Sequence, residues 1–369
     1  MTLRAVVIGA GFAGEGHTIA MRHAGVEVVA ICARQQDVVG AVAARLGIPE
    51  ASTNWQETLH HVRPDIVCLG TPGTLRRPVI EVAAELGCHV YCDKPLATTA
   101  AEAQSYFELM ERAGLRHAYA STHRYDPSVA WLAELVRDGA IGAVTEIEAT
   151  FRRHLPPLTP WTWYDTLATG GGLLNNAFPH WLGILTTITG AELSAAMGES
   201  RVLRDNAPLV PDLHDFRDRA KHTPPTPQAA GALAWRPCDA DNAFTAMLCY
   251  GAVNVSLSVT GSIATWPPNG WRLHGTGGTL IADGHYSYAV SRQRSAKGER
   301  EPLPVPQRLV EALPSPGDEF QNKWAALAAD FVADIQGKPT HSYLTFRDGW
   351  RFQLAIEAIR EGRGWTVLP

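Results

Sequence analysis

The chain has 369 residues, more than one hydrophobic core usually serves, so two domains are the natural expectation. Hydrophobic residues make up 46% and charged residues 19%, which excludes a disordered chain and fits a well-buried enzyme. A formal charge of -5 gives nucleic acid or an anionic membrane nothing to bind, and no apolar run approaches the roughly 20 residues a bilayer span requires. The N-terminus, Met-Thr-Leu-Arg, runs straight into a strand pattern without the features of a signal peptide. The six cysteines form no CxxC pair and read as reduced thiols, and the 14 histidines contain no HExxH, so no metal is expected. The expectation is a soluble, cytoplasmic protein that acts on a small molecule.

In chain order, residues 4–10 form the short apolar run that a buried parallel strand requires. Val26–Ala33, Asp65–Gly70, Cys88–Cys92 and Arg116–Ser121 repeat that pattern, and helix-length stretches such as Val79–Leu86 and Ala100–Ala113 separate them. Strands alternating with helices predict a doubly wound parallel sheet of Rossmann type over residues 1–121.

The first strand ends in Gly9-Ala10-Gly11-Phe12-Ala13-Gly14, a GxGxxG. Gly9 permits the tight turn, Gly11 lets the backbone approach a pyrophosphate, and Gly14 allows helix to pack closely on strand. Phe12 and Ala13 open the helix whose N-terminus would face the phosphates. At the end of the second strand an NAD site usually carries a carboxylate; here Ala33 is followed by Arg34. The missing carboxylate removes repulsion toward a 2′-phosphate and a guanidinium can grip one, so NADP(H) is expected over NAD(H), with NAD(H) still possible. Asp37 is a surrogate acceptor for the ribose.

From about residue 122 the alternation gives way to a second, α+β domain that runs to residue 369. Val144–Phe151, Ala243–Tyr250, Val253–Thr260 and Thr279–Ala282 have strand-like content, and turns such as Trp266–Gly270 and Gly275–Gly278 punctuate them. Residues 205–228, rich in proline, read as a long loop over the site. Helical stretches Glu319–Ile335 and Phe346–Arg360 close the chain and are free to pack back on the first domain. Trp161, Trp163 and Tyr164 offer aromatic faces that stack on sugar rings.

Asp93-Lys94-Pro95 at the end of the fourth strand, taken with the glycine motif, resembles the Gfo/Idh/MocA oxidoreductases (glucose–fructose oxidoreductase, inositol dehydrogenase, rhizopine catabolism). Thr71-Pro72, His123-Arg124-Tyr125-Asp126-Pro127, Gly170-Gly171-Gly172 through His180, and Gly275–Leu280 agree with that family in order and spacing. The resemblance implies an open, mainly antiparallel sheet in the second domain, a homodimer or homotetramer, and a sugar, cyclitol or related hydroxy/oxo substrate. It implies Lys94 at the reaction centre, holding the substrate oxygen, and His180 as general acid/base. It places Thr71, Pro72, Asp93, Lys94 and Pro95 beside the dinucleotide, and Arg124, Tyr125, Trp161, Trp163, Tyr164 and Asn176 toward the substrate, with Asn176 counted beside Lys94 and His180 as a catalytic residue that orients the hydroxyl. Two positions depart from the pattern. Asn176 and Gly183 stand where the family usually has aspartate, and an amide cannot raise a histidine's basicity as a carboxylate would. Arg76 replaces the histidine common after the Thr-Pro loop and reads as cofactor-side or surface. Reduction of an imine or another non-sugar bond, and a non-catalytic NADP-binding regulator, stay open as alternatives.

Overall fold

The computed structural model describes residues 2–211, 213, 218–261, 263 and 269–369. It divides into two compact units: residues 1–125 with 311–353, and residues 126–310 with 354–369.

The first unit is built on six parallel strands in the order β3-β2-β1-β4-β5-β6. These are β1 (Arg4–Ile8), β2 (Glu27–Cys32), β3 (Glu50–Ser52), β4 (Ile66–Leu69), β5 (His89–Asp93) and β6 (His117–Ala120). Helices α1 (Phe12–His23), α2 (Gln36–Leu46), α3 (Trp55–Val62), α4 (Arg77–Glu85) and α5 (Ala100–Arg112) make the crossovers. β1 and β4 are apolar along their buried length because both faces are covered. β3 is one strand more than the hydrophobic pattern predicts. It is a three-residue edge, Glu-Ala-Ser, with no apolar run to announce it.

Among the helices of the second domain predicted from sequence, α11 (Glu319–Ile335) packs in the core of this first unit. A Cβ at Gly16 would fall 1.8 Å from the Trp324 ring, so only glycine lets α1 approach α11 that closely. One residue on, His17 is fully buried, edge-on to the rings of Tyr91 and Trp324, and neither ring nitrogen has a hydrogen-bond partner among the described residues.

The second unit starts with α6 (Pro127–Arg137) and is dominated by a nine-stranded sheet. β7 (Val144–Arg152), β8 (Leu193–Arg201), β11 (Ala243–Tyr250), β12 (Val253–Thr260), β13 (Gly270–Gly275), β14 (Gly278–Gly284), β15 (Tyr288–Gln293), β16 (Glu301–Pro302) and β17 (Thr366–Val367) lie in the order β16-β15-β14-β13-β7-β12-β11-β8-β17. Every neighbouring pair is antiparallel except β7 with β12. α7 (Leu173–Asn176) and α8 (Phe178–Thr189) follow β7, and Trp181 of α8 stacks on Phe151 of β7 at 4.3 Å and 6°. α9 (Pro227–Gly231) lies between β9 (Asn206–Pro208) and β10 (Trp235–Pro237), which pair as a separate ribbon. α10 (Gln307–Ala312) and α12 (Phe346–Glu361) each run from one unit into the other. Of the expected 205–228 loop, β9 is a strand, while residues 212 and 214–217 lie outside the described residues. So do residues 266–268 of the expected Trp266–Gly270 turn.

Burial holds the His17 imidazole down to about 4, with Asp93 opposing that shift and Arg76 adding to it. The unfolded chain takes up a proton near pH 6.5 that the folded one refuses, so stability falls as pH drops from 6.5 toward 4. The loss from this group amounts to about 3 kcal/mol. Urea unfolding at pH 7 and pH 4.5 should show a smaller acid loss for His17→Leu than for the wild type. Equal losses would contradict the assignment.

Candidate active site

In the first unit the chemistry gathers at the carboxyl ends of β1, β4 and β5, where a doubly wound sheet presents ligands. Gly9 has φ +112°, and a Cβ there would sit 2.8 Å from the Gly70 carbonyl, so the turns after β1 and β4 touch through glycine. A Cβ on Gly14 would lie 1.8 Å from the Gly9 oxygen, which fixes α1 against the strand end. Gly11 is different: its Cβ would meet nothing within 4 Å, and it caps α1 without any side-chain hydrogen bond. That is the open, bare helix start a pyrophosphate needs, so the residues present fit a dinucleotide. Phe12 and Ala13 form the first turn. At the end of β2, Ala33 is half-buried and its N–H donates to the Ser52 carbonyl at 3.1 Å. Arg34 is exposed and has no hydrogen-bond or ion-pair partner among the described residues.

Arg76, left open between cofactor side and surface by the sequence, is only 1% exposed. Its Nε and Nη2 donate to the Thr71 carbonyl at 3.0 and 2.6 Å. Its Nη1 donates to the carbonyls of Asp93 at 2.5 Å, Leu96 at 3.4 Å and Pro95. One guanidinium therefore ties the loop after β4, which holds Thr71 and Pro72, to the loop after β5, which holds Lys94. The Lys94–Pro95 bond is cis. Lys94 itself is half-buried, and burial lowers its pKa; Asp93 opposes the shift and Arg76 reinforces it. Nothing in the sequence around Arg76 announces this burial, because an arginine before a helix ordinarily reads as surface.

At the end of the same unit Tyr125 donates its hydroxyl to Asp330 of α11 at 3.0 Å, and Arg124 lies over the Tyr125 ring at 5.8 Å. This tyrosine hydroxyl is thus engaged with its own unit's helix.

In the second unit the Gly170–Gly172 turn closes on Asp241. Gly172 has φ +95°, and a Cβ there would meet the Asp241 carboxylate at 2.5 Å. That carboxylate accepts from the Leu174 N–H at 2.8 Å and faces Arg360 at 3.4 Å. Asn176 is buried and spends its amide N–H groups on the carbonyls of Gly170 and Gly172, at 3.0 and 2.9 Å. An aspartate here would set a carboxylate against two carbonyl oxygens, which accounts for the amide. His180 follows in the first turn of α8 and is half-buried. Gly183, one turn on, is buried in the same helix.

The aromatic strap is pinned to this turn. Gly172 N–H donates to the Tyr164 carbonyl at 2.9 Å, and Thr169 Oγ1 donates to the Trp163 carbonyl at 2.6 Å. Trp163 is 36% exposed, whereas Tyr164 is enclosed enough for burial to raise its phenol pKa. Trp161 donates Nε1 to the Pro237 carbonyl at 3.2 Å under the Arg236 guanidinium, so its indole faces the β9–β10 ribbon. Asp241 and Arg360 were not singled out from sequence; a lone aspartate in a polar stretch carries no spacing signal. Among the described residues no group of His, Cys, Asp or Glu is placed to hold a metal.

A glycine-turned parallel sheet with a lysine at its carboxyl edge, followed by a second unit with an open mixed sheet, defines a two-unit fold whose first unit is of the dinucleotide-binding Rossmann type. Residues 3–121 match the model described as oxidoreductase family, NAD-binding Rossmann fold, and residues 129–281 match the GFO/IDH/MocA C-terminal domain. The chain belongs to the Gfo/Idh/MocA family.

Among its relatives is levoglucosan dehydrogenase of Pseudarthrobacter phenanthrenivorans, 26% identical over 201 residues, 51% of each chain. D-glucoside 3-dehydrogenase of Escherichia coli is 30% identical over 192 residues, 51% of this chain and 54% of its own. The chain thus spans about half the length of these two curated relatives. D-xylose 1-dehydrogenase (NADP(+)) 2 of Haloferax volcanii is 35% identical over 130 residues, covering 35% of this chain and 40% of the relative. A solved levoglucosan dehydrogenase, in complex with NADH and L-sorbose, superposes with a TM-score of 0.82 at 21% identity over 100% of this chain and 99% of that one. That likeness establishes the fold.

The guanidinium of Arg76 leaves a spectroscopic trace. Replacing it with glutamine removes a cation that depresses the Lys94 pKa, so the Lys94 amine, followed by NMR of a 13C-methylated sample, should titrate at higher pH in Arg76→Gln. An unchanged titration would mean that the two loops are not held as described.

Proposed function

We propose that the protein is an NADP(H)-preferring oxidoreductase that interconverts a sugar or cyclitol hydroxyl and the corresponding carbonyl. The observation that carries this reading is Lys94, held by the Arg76 clamp at the carboxyl edge of a sheet whose glycine turn fits a dinucleotide. When bound, the nicotinamide supplies the hydride acceptor or donor. Lys94 holds the substrate oxygen and stabilises the negative charge that gathers there. His180 takes the hydroxyl proton as hydride leaves the same carbon, and returns it in the reverse direction. Asn176 keeps the glycine turn in shape beneath His180. Gly9, Gly11, Phe12, Ala13 and Gly14 take the phosphates, with Thr71, Pro72, Asp93 and Pro95 along the dinucleotide. Trp161, Trp163 and Tyr164 border the substrate side, as do Arg124 and Tyr125. Relatives named for levoglucosan, D-glucoside and D-xylose dehydrogenation support a carbohydrate substrate.

We further propose assembly as a homodimer or homotetramer through the outer face of the nine-stranded sheet. The register sets Met197, Met247, Ser256, Glu148 and Arg272 in one row across that face, which makes the contact a mixed polar and methionine surface.

A panel of aldoses, glycosides and cyclitols assayed at 340 nm with both dinucleotides tests the activity. His180→Ala should lower turnover by about 10²–10⁴-fold with dinucleotide affinity nearly intact, and Lys94→Ala should impair both turnover and substrate binding. Full turnover in His180→Ala would reject the proton path.

The cofactor preference rests on exposed Arg34 beside Ala33, and the relative named for NADP(+) supports it. Arg34→Ala should weaken NADPH binding by about 1–3 kcal/mol and leave NADH nearly unchanged. Equal losses for the two would remove the 2′-phosphate role.

A further inference from the structure

The second unit holds a partly buried cation, Arg153, that no carboxylate neutralises among the described residues. Arg153 follows β7 directly, on the same face as Phe151. Its Nε and Nη2 meet His285 Nε2 at 3.2 and 2.8 Å, and Nη2 also donates to the Tyr286 hydroxyl. Its guanidinium carbon lies 5.8 Å from the Tyr286 ring centre. Among the described residues Arg153 makes no ion pair. His285 does not compensate for this: burial and the neighbouring arginine hold its pKa down to about 4, so it stays neutral and accepts the hydrogen bond. Carboxylates close to the cluster have other work. Asp241, which raises the Tyr164 phenol pKa where Arg153 lowers it, is engaged by Leu174 and Arg360. Asp126 accepts from the Ser128 N–H and hydroxyl and from the Ser287 hydroxyl.

Position gives the cluster a use. Phe151 is stacked on Trp181, and its edge meets the His285 ring at 5.7 Å. Trp181 is the residue after His180. Arg153 and His285 therefore stand at the end of β7 against which the first turn of α8 packs, and Tyr164 joins them from the aromatic strap. A partly buried guanidinium held by neutral acceptors keeps its full charge available to an anion. With Nε and Nη2 engaged by His285 and Tyr286, Nη1 keeps N–H donors for a single charge-assisted bond to a carboxylate.

We propose that Arg153, braced by His285 and Tyr286, is a specificity subsite that takes the carboxylate of a sugar acid, a uronate or an aldonate. The assignment rests on the carbohydrate reading above and narrows it from neutral sugars to acidic ones. Binding of the substrate carboxylate gives Arg153 the ion pair it does not make among the described residues, and the braced guanidinium presents Nη1 without first having to be ordered. Trp163 and Tyr164 are left to the apolar face of the ring.

Matched pairs decide the matter: D-glucuronate against D-glucose, and D-galacturonate against D-galactose. Affinity is read by calorimetry on the full chain saturated with NADPH, and oxidation is read at 340 nm with NADP(+). The wild type should bind the acids at least about 10-fold more tightly than the neutral sugars, with the advantage shrinking as salt rises. Arg153→Met should cost the acids about 10–100-fold and change the neutral sugars less than about threefold, and Arg153→Lys should restore part of the loss. Because the salt dependence and the acid-to-neutral ratio are wild-type measurements, they remain decisive if a variant fails to fold. Equal wild-type affinity for acid and neutral partners would overturn the subsite, and so would a folded Arg153→Met that weakens both alike. Selective binding of the acids without their oxidation would sustain the subsite and sink the dehydrogenase reading. Oxidation of neutral sugars with no preference for acids would do the reverse.

Discussion

The buried guanidinium of Arg76 is the contact on which the dinucleotide side of the molecule depends. The end of β5 and the loops that follow β4 and β5 present the carbonyls of Thr71, Asp93, Pro95 and Leu96 to one side chain. A single planar cation with five donors satisfies carbonyls from both loops at once. A lysine, with one nitrogen, does not span two loops in this way. Because the loop after β5 carries Lys94, the clamp also determines where that amine stands and what charge lies beside it. The same cation acts on His17 behind the sheet. Structure and electrostatics at this edge are therefore not separable: removing the cation would free two loops and change the titration of the lysine together.

The second unit solves the corresponding problem with an anion. Asp241 receives the start of α7, and Arg360 balances its charge from near the end of α12. The glycine turn wraps this carboxylate so closely that Gly172 has no room for a side chain. Asn176 then stitches the turn to itself. The departure from the family's usual aspartate is thus not an isolated loss of a base. It belongs to a turn whose free carbonyls need donors, and an amide supplies them.

Much of the fold was legible because it rests on local signals. Val6, Val7 and Ile8 announce a strand buried on both faces, and Gly9, Gly11 and Gly14 announce its turn, since each needs a backbone or an approach that other residues refuse. Glu50–Ser52 was not legible: an edge strand is set by its neighbour's open hydrogen bonds, not by its own composition. The same holds for the partners of the site. Lys94 and His180 stand in motifs that can be read along the chain. The partners of Arg76, Asn176 and Arg153 are backbone carbonyls or residues distant in sequence, and their identity appears only after folding. Arg76 reads in sequence as cofactor-side or surface, and Arg153 carries no motif that singles it out. One proves to be spent on four carbonyls, and the other retains donors.

The central claim is that the molecule transfers hydride from a carbon whose oxygen Lys94 holds. Stopped-flow reduction of NADP(+) by a sugar substrate, protiated or deuterated at the reacting carbon, addresses it most directly. The account predicts a single-turnover phase slowed severalfold by deuterium, and strongly slowed again in Lys94→Ala with the isotope effect retained. A turnover insensitive to deuterium under these conditions, or a Lys94→Ala variant reacting at the wild-type rate, would contradict it.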